Sequence, residues 1–443
     1  MNINDFYMND YLSFAGYDNW RKIASYVDGL KPSARKCIYT ILSKNISNPK
    51  KVSQIKSSVA EYTSYIHGDD SLVGVIVNLA QNFVGANNIP LLKCEGNFGN
   101  RTQPSASAAR YIFTCKEDYL DLIFNSDDNN VLIEQIFEGE KIEPKYYVPI
   151  IPLILVNGSE GLSVGFSQKI LPRNPIDLVN AIKEILDDKE ISIDLIPYFK
   201  GFSGKVFRRE EGGFEIHGTF KKIGDKLVID ELPIGYDLKS YKKVLNTLEE
   251  KKIISDYNDL TDTKTDKFQF SIKYKDLDKK TDYEILETFK LIKRVSENFT
   301  TMDENNVVKV FEDEKEILKN YVNIRLQYYT KRKEYKIEKI EYELLILRNK
   351  LKFISDIISK KLIISNKSKQ NIIEQMDELN YYNKIEDSYD YLLRMQMYSL
   401  TSEKIDELKT QLLNKKNELN ELKNKDIKDW YKEDLDKLME KIK

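Results

Sequence analysis

The chain has 443 residues, too many for one ordinary hydrophobic core, so its length points to several domains. An apolar fraction of 41% permits folding, a charged fraction of 32% points to long solvated helices, and a net charge of −2 excludes a uniformly basic nucleic-acid binder. Three cysteines (Cys37, Cys94, Cys115) and two histidines (His67, His217) show neither metal-ligand spacing nor a disulfide framework, so the expectation is no metal site and a reducing, cytoplasmic setting.

Residues 1–19 read as a polar and aromatic arm, with neither the basic start nor the apolar run of a secretory signal. From Trp20 to Lys116, thirteen Lys or Arg stand against five acids. That is a local footprint for a polyanion, although charge alone fits a solvated basic face equally well. Within this segment "VAEYTSYIHGDDSLVGVIVNLAQNFVG" holds two helical patterns joined at "HGDD". Asp69 or Asp70 is placed to cap the second helix, whose buried face is expected to be Leu72, Val75, Ile76, Leu79 and Phe83. Two short helices and a tight glycine-containing turn fit a helix-turn-helix, as they fit many helical hairpins. The longest apolar run, Val148 to Val156, is broken by proline and too short for a bilayer, so no membrane partner is expected.

Beyond about residue 176, "GGFEIHGTFKKIGDKLVIDELPIG" alternates and turns like β-hairpins, "YKKVLNTLEEKK" reads as a helix, and "DKFQFSIKYK" returns to strand alternation. From about 305 the chain turns helical and charge-rich. Ile337, Ile340, Leu344, Leu347, Leu351, Ile354 and Ile358 keep a 3-4 spacing, and Ile405, Leu408, Leu412, Leu419 and Leu422 follow it with Lys415 interrupting. Two long antiparallel helices are predicted. Between them "NYYNKIEDSYDYLLRMQMYSLT" crowds Tyr and Met into a tip too small to bury them, which points to self-association.

No G-x-x-x-x-G-K-[ST] phosphate loop occurs, and "GNFG" lacks the strand and helix of a dinucleotide fold, so no nucleotide site is expected. Asp434 and Asp436 sit in a charged helical tail and read as solvated. What remains is a candidate constellation of Arg35, His67, Arg110 and Tyr111 in the basic segment. A phenol titrates near pH ~10 and needs help to attack at neutral pH. Neighbouring guanidinium groups favour the phenolate and stabilise charge on a phosphoryl group. Taken alone, the same residues also fit an ordinary aromatic beside a surface arginine.

Five stretches, met in order, resolve the choice: "VDGLKPSARKCIYT" (27–40), "SSVAEYTSYIHGDDSLVGVIVNLAQNFVGANNIPLL" (57–92), "SASAARYIFT" (105–114), "YVPIIPLILVNGSEGLSVGFSQKILPRNP" (147–175) and "IDELPIG" (229–235), with "YLLRMQMYSLTSEKIDEL" (391–408) near the end. Together they resemble the breakage-reunion part of type IIA DNA topoisomerases, above all the eukaryotic enzymes. The resemblance implies an α+β multidomain fold: an arm (1–19), a winged-helix (helix-turn-helix) cleavage domain (20–175), a mixed α/β tower domain (176–304), a long antiparallel coiled coil (305–360 and 403–443) and a helical C-gate dimerisation tip (361–402). It makes Tyr111 the nucleophile that forms a 5′-phosphotyrosyl bond. Arg110 and Arg35 would hold the scissile phosphate and His67 would hydrogen-bond near it. Lys31, Lys36, Ser71, Gln81 and Asn82 would contact DNA. Leu162 stands where the family carries an isoleucine that wedges between bases, and leucine is still an apolar wedge. Double-stranded DNA would be the substrate, with a homodimer closed through the tip. Mg²⁺ and ATP would be bound by a separate toprim/ATPase large subunit. The wrapping motif Q-R-R-G-G-K-G is absent, so the chain most resembles the medium subunit of T-even-type phage topoisomerases, with relaxation and decatenation implied. A non-catalytic, dimeric winged-helix protein that organises DNA is the alternative, and it leaves the Arg110–Tyr111 pair without a purpose.

Overall fold

The computed structural model describes residues 3, 6–275, 277–379, 384, 388–396 and 401–442. The chain folds as two units, residues 1–326 with 431–443, and residues 327–430.

In the larger unit the basic segment forms helices α1 (Leu12–Lys22), α2 (Pro32–Ser43), α3 (Val52–Tyr62) and α4 (Asp69–Ala80). Pro32 opens α2 in its first turn, where its fixed φ suits the helix and its missing N–H costs nothing. The helical spacing of Cys37, Ile38 and Ile41 sets one apolar face on α2, and α2, α3 and α4 pack on one another. That face is fully buried, as are Val52, Ile55 and Val59 of α3 and Leu72 and Ile76 of α4, each aliphatic side chain contributing about 1.5–3 kcal/mol.

Helix α4 departs from the expected register. Gly68 occupies the N-cap, one residue before the expected aspartates, and makes no side-chain cap hydrogen bond. The buried face is Leu72, Ile76, Val77 and Ala80, with Val75 and Leu79 half-buried. Phe83 lies past the helix end, because Gln81 turns to extended backbone and its amide bonds elsewhere.

A short antiparallel pair, β1 (Lys50–Lys51) with β2 (Phe113–Thr114), fastens the segment after the helices to the start of α3. Strands β3 (Ser159–Leu162) and β4 (Ser167–Ile170) form an antiparallel hairpin. Helix α5 (Pro175–Leu186) follows, capped by the Asn174 side chain, which accepts from the Ile176 N–H at 2.9 Å.

The alternating segment forms two antiparallel sheets. Strands β5 (Lys205–Arg208), β6 (Phe214–His217), β7 (Thr219–Ile223), β8 (Lys226–Glu231), β9 (Ile254–Asp259), β10 (Phe270–Tyr274) and β11 (Ile292–Val295) are ordered β9-β10-β8-β7 and β11-β6-β5. The hairpin expectation holds for β7 and β8. Strands β6 and β7, one residue apart, instead enter different sheets. Gly218 makes the switch possible, since a Cβ there would lie 2.4 Å from the Glu231 carbonyl oxygen. Helix α6 (Leu238–Glu250) starts with a reciprocal Asp237–Ser240 capping box and belongs to a core with Tyr241, Leu245, Leu227, Ile229, Phe270 and Ile272.

Helix α7 (Glu314–Ile358) runs 45 residues. In the smaller unit its second part lies beside α9, with α8 (Lys369–Glu378) between them in sequence and α9 spanning Ser402–Asn424. Lys333 Nζ donates to the Lys423 and Lys425 carbonyls, Lys423 pairs with Glu341 at 2.7 Å, and Lys415 pairs with Glu343 at 2.8 Å. Later residues of one helix meet earlier residues of the other, so the two run antiparallel. Ile340, Leu344, Ile354 and Leu408 are buried, whereas Ile358 is exposed. Lys415 interrupts the apolar stripe because it is ion-paired with Glu343 and Glu418.

The pairing ends earlier than the expected 403–443 span. Lys425 is extended, Asp426 accepts from Lys428 N–H at 2.7 Å, and a new helix, α10 (Ile427–Ile442), begins. Residues 431–443 belong to the larger unit, where Tyr431 Oη donates to the Ile150 carbonyl at 2.8 Å and Asp436 pairs with Lys183 at 2.5 Å. Asp434, expected to be solvated, is buried there. Around the tip, Phe353, Leu362, Met376, Tyr389 and Leu392 form a small core. Residues 380–383, 385–387 and 397–400 of the expected dimerisation tip lie outside the described residues.

Candidate active site

Tyr111 hangs from a short, well-bonded ladder. The first N–H groups of α3 have no helical carbonyl to meet. Val52 N–H donates to Ile112 O at 3.0 Å and Ser53 N–H to Ala109 O at 3.2 Å, so the helix start holds the Tyr111 segment. Glu95 and Phe113 exchange two backbone hydrogen bonds of 2.8 and 3.0 Å on the other side. Ile112 is fully buried, and Tyr111 is 65% exposed. Arg110 is exposed as well, its guanidinium carbon 5.0 Å from the Tyr111 ring centroid.

The loop before Tyr111 is closed on itself. Ser107 N–H donates to Asn97 O and Asn100 N–H to Gln103 O, both at 2.9 Å. Gly99 has φ +83°, and a Cβ there would sit 2.3 Å from Pro104 O. Gly99→Ala is expected to destabilise the larger unit by about 1–3 kcal/mol, seen as a lower urea midpoint at unchanged slope. An unchanged midpoint would show that the loop rearranges freely.

The other residues singled out in the sequence divide by environment. Ser71, Asn82 and Leu162 are exposed, Leu162 at 78% on the β3–β4 hairpin. Arg35 is only 4% exposed and pairs with Asp28, Nε to Oδ2 at 2.6 Å and Nη2 to Oδ1 at 3.2 Å. Burial opposes its charge, but the Asp28 carboxylate outweighs that and leaves its pKa raised. Lys36 Nζ donates to Thr63 O at 2.8 Å and Glu143 Oε2 at 2.9 Å. Burial pushes the Glu143 carboxyl up, against the pull of Lys36. Lys31 Nζ donates to Glu160 O at 2.8 Å and so supports the hairpin carrying Leu162. Gln81 donates to Phe98 O at 2.8 Å and Pro104 O at 3.1 Å, holding the loop before Tyr111. His67 lies 3.0 Å from Tyr17 Oη, and burial, then Arg21 and Lys36, lower its pKa below the ordinary imidazole value.

Sequence reasoning missed several of these supports. Asp18 accepts from Ser163 Oγ at 2.8 Å and Val164 N–H at 3.2 Å, pinning the turn of the Leu162 hairpin from the N-terminal arm. Tyr17 reaches His67 from the same arm. Asp28 also accepts from Leu30 N–H at 3.0 Å and Tyr147 N–H at 3.1 Å. These contacts span up to about 145 positions, and no local pattern announces them. Among the described residues, no group of three His, Cys, Asp or Glu is placed to hold a metal ion, and no helix is long and apolar enough to cross a membrane.

The fold and this site define the class. The crystal structure of the Plasmodium falciparum topoisomerase II DNA-binding, cleavage and re-ligation domain matches with a TM-score of 0.87 and 36% identity, over 99% of this chain and 64% of that one. The α+β fold is therefore that of a topoisomerase II cleavage domain, long helix included. More particularly, the family model for the A subunit of DNA gyrase/topoisomerase IV matches residues 21–437, and the chain belongs to that family. DNA topoisomerase 2, mitochondrial, of Dictyostelium discoideum is 35% identical over 98% of this chain, and DNA topoisomerase 2 of Plasmodium falciparum is 36% identical over 99%. The chain spans about a third of the length of these relatives, 35% and 34%. The type IIA reading of the motifs stands at the level of the family.

Proposed function

We propose that this chain performs DNA breakage and reunion for an ATP-dependent type IIA topoisomerase. The observation that carries the proposal is Tyr111, an exposed phenol on a buried, hydrogen-bonded anchor with a guanidinium against its ring. The phenol oxygen attacks a backbone phosphorus and the bond from phosphorus to the 3′-oxygen breaks. The phenol loses its proton to solvent and the leaving oxygen takes one up. The 5′-phosphate stays on Tyr111, and reversal re-ligates the strand. Arg110 meets the charge that builds on the phosphoryl oxygens.

Leu162 supports a wedge role, since a large exposed apolar side chain on a hairpin pinned by Asp18 and Lys31 is suited to enter a base step. Ser71 and Asn82 are open to solvent where the helices would face DNA. Arg35 and Lys36 remain phosphate-side cations in this proposal, and DNA contact would require each to leave a carboxylate, Asp28 or Glu143. His67 joins them in this proposal, its ring nitrogen 3.0 Å from Tyr17 Oη and its pKa lowered by burial, Arg21 and Lys36. In this proposal Mg²⁺ and ATP are bound by toprim and ATPase modules on a large subunit, as the resemblance of the motifs implies. Two copies would join through the tip near 361–402 and open there to release a passed duplex. The winged-helix, tower and coiled-coil boundaries read in the sequence belong to the same proposal. So does the reading as the medium subunit of a T-even-type phage enzyme working in host cytoplasm, supported by a composition rich in Lys, Asn and Ile.

The test is a cleavage assay on supercoiled plasmid with Mg²⁺, with and without a toprim/ATPase subunit, stopped by denaturant. Protein-linked broken DNA is expected only in the combined reaction. Breakage by this chain alone would show the metal site to be misassigned. Salt-sensitive binding with no breakage in either arm would favour an architectural DNA-binding protein.

A further inference from the structure

The loop that ends in Tyr111 is tied at its far side to the β-rich region through one buried arginine. Arg101 is 5% exposed. Its guanidinium donates to Glu231 Oε1 and to the Leu232 carbonyl, both within "IDELPIG" at the end of β8. Its guanidinium carbon sits over two aromatic rings, 5.7 Å from the Phe202 centroid and 5.1 Å from that of Phe268. The other Glu231 oxygen accepts from Ser203 N–H at 3.1 Å and Ser203 Oγ at 2.8 Å. The backbone is held as well. Asp266 accepts from Arg101 N–H at 2.8 Å and Thr102 N–H at 2.9 Å, Asn100 Nδ2 donates to Thr263 O at 3.1 Å, and Leu238 N–H donates to Thr102 O at 3.2 Å.

Such an investment is more than loop closure needs. The 97–107 loop already closes through Asn97, Gly99 and Gln81. A buried ion pair is also a poor source of net stability, because desolvation consumes much of the attraction. What it supplies is geometry: a planar fork set against two rings and bonded to two acceptors has one position. We infer that Arg101, seated on Glu231, is a positioning residue that registers the Tyr111 segment to the β-rich region, so that DNA lying across both is met by the phenol at one fixed place. The inference rests on the cleavage reading above.

The test compares Arg101→Lys with the wild-type chain in complex with its toprim/ATPase modules. Lysine keeps the charge but lacks the rigid planar fork that fixes Glu231, the Leu232 carbonyl and both rings in one geometry. DNA affinity should stay within about twofold while covalent adduct formation slows about ten- to a hundredfold, as expected when a reacting group is slightly misplaced. Amide exchange should quicken over residues 97–107 and stay unchanged in α6. Ile229→Val, in the same sheet core but not in the clamp, is the stability control: it should lower the melting temperature and leave adduct formation at the wild-type rate. Adduct formation that falls in both variants in step with melting temperature would overturn the positioning role, and so would a wild-type rate in Arg101→Lys. If Arg101→Lys fails to fold, Asp266→Asn carries the same expectation with a smaller effect. The two readings fail differently. No adduct from the wild-type complex would sink the cleavage reading, whereas unaltered exchange in a folded Arg101→Lys would sink the clamp alone.

Discussion

Tyr111→Phe should bind DNA within about twofold of the wild-type affinity, because phosphate cations supply most of the binding, and should form no covalent adduct. The substitution removes one oxygen and keeps the ring that lies against Arg110. Tyr111 is exposed and its neighbour Ile112 carries the packing, so the stability change should be no more than about 0.5 kcal/mol. Folding and binding therefore survive while the attacking atom is gone. Filter binding across a salt series, beside a denaturant-stopped adduct assay with the toprim/ATPase modules present, separates the two. Adduct from the phenylalanine protein would place the nucleophile elsewhere. Loss of binding would mean that Tyr111 is a contact residue and not a reacting one.

Asp28→Ala is the second large effect, and it acts on stability. Asp28 is fully buried and takes four donors: Arg35 Nε and Nη2, and the N–H groups of Leu30 and Tyr147. Alanine would leave the Arg35 guanidinium charged in a dry site, since no accessible pH deprotonates it. Removing one member of a buried pair costs about 3–5 kcal/mol, a large share of the stability of an ordinary domain. Urea unfolding of the larger unit should show a midpoint lowered accordingly. Asp28→Asn, which keeps an acceptor for the guanidinium and gives up the charge, should lose less. A loss under about 1 kcal/mol for alanine would show that Arg35 swings to solvent once released. That result would show that Arg35 can leave its buried seat once Asp28 is gone, which the proposed DNA contact requires.

The two variants also show which parts of the molecule were legible before the structure. The arrangement of Tyr111 and Arg110 was readable because the phenol, its guanidinium and its buried anchor Ile112 are consecutive residues. Helix α2 was met only inside the motif at 27–40, whereas α6 was readable from "YKKVLNTLEEKK". The register of α4 was not, because Gln81 leaves the helix to hold a loop 17 positions away, a tertiary bond that overrides helical propensity. The separation of β6 from β7 was hidden for a similar reason, since Gly218 reports a close approach of Glu231 that nothing local marks. The end of the long-helix pairing at Lys425 looked like one more charged turn.

Charge was the least legible property. Arg35, Lys36 and Lys31 counted toward a basic footprint, yet each already has a partner in the fold: Asp28, Glu143 and the Glu160 carbonyl respectively. Arg110, beside Tyr111, is exposed. Composition counts formal charges, whereas a phosphate meets only those still facing solvent or able to change partners. The supports from Tyr17 and Asp18 were missed because an arm of exposed aromatics resembles any chain terminus until its contacts are seen.

The central claim is that Tyr111 itself becomes joined to DNA. The most direct measurement is to trap the adduct of the wild-type chain with its toprim/ATPase modules in denaturant, digest protein and DNA, and find the nucleotide-bearing peptide by mass spectrometry. The account predicts a 5′-phosphonucleotide on Tyr111, in the peptide that begins after Arg110. A nucleotide on any other residue, or on a 3′-phosphate, would contradict it.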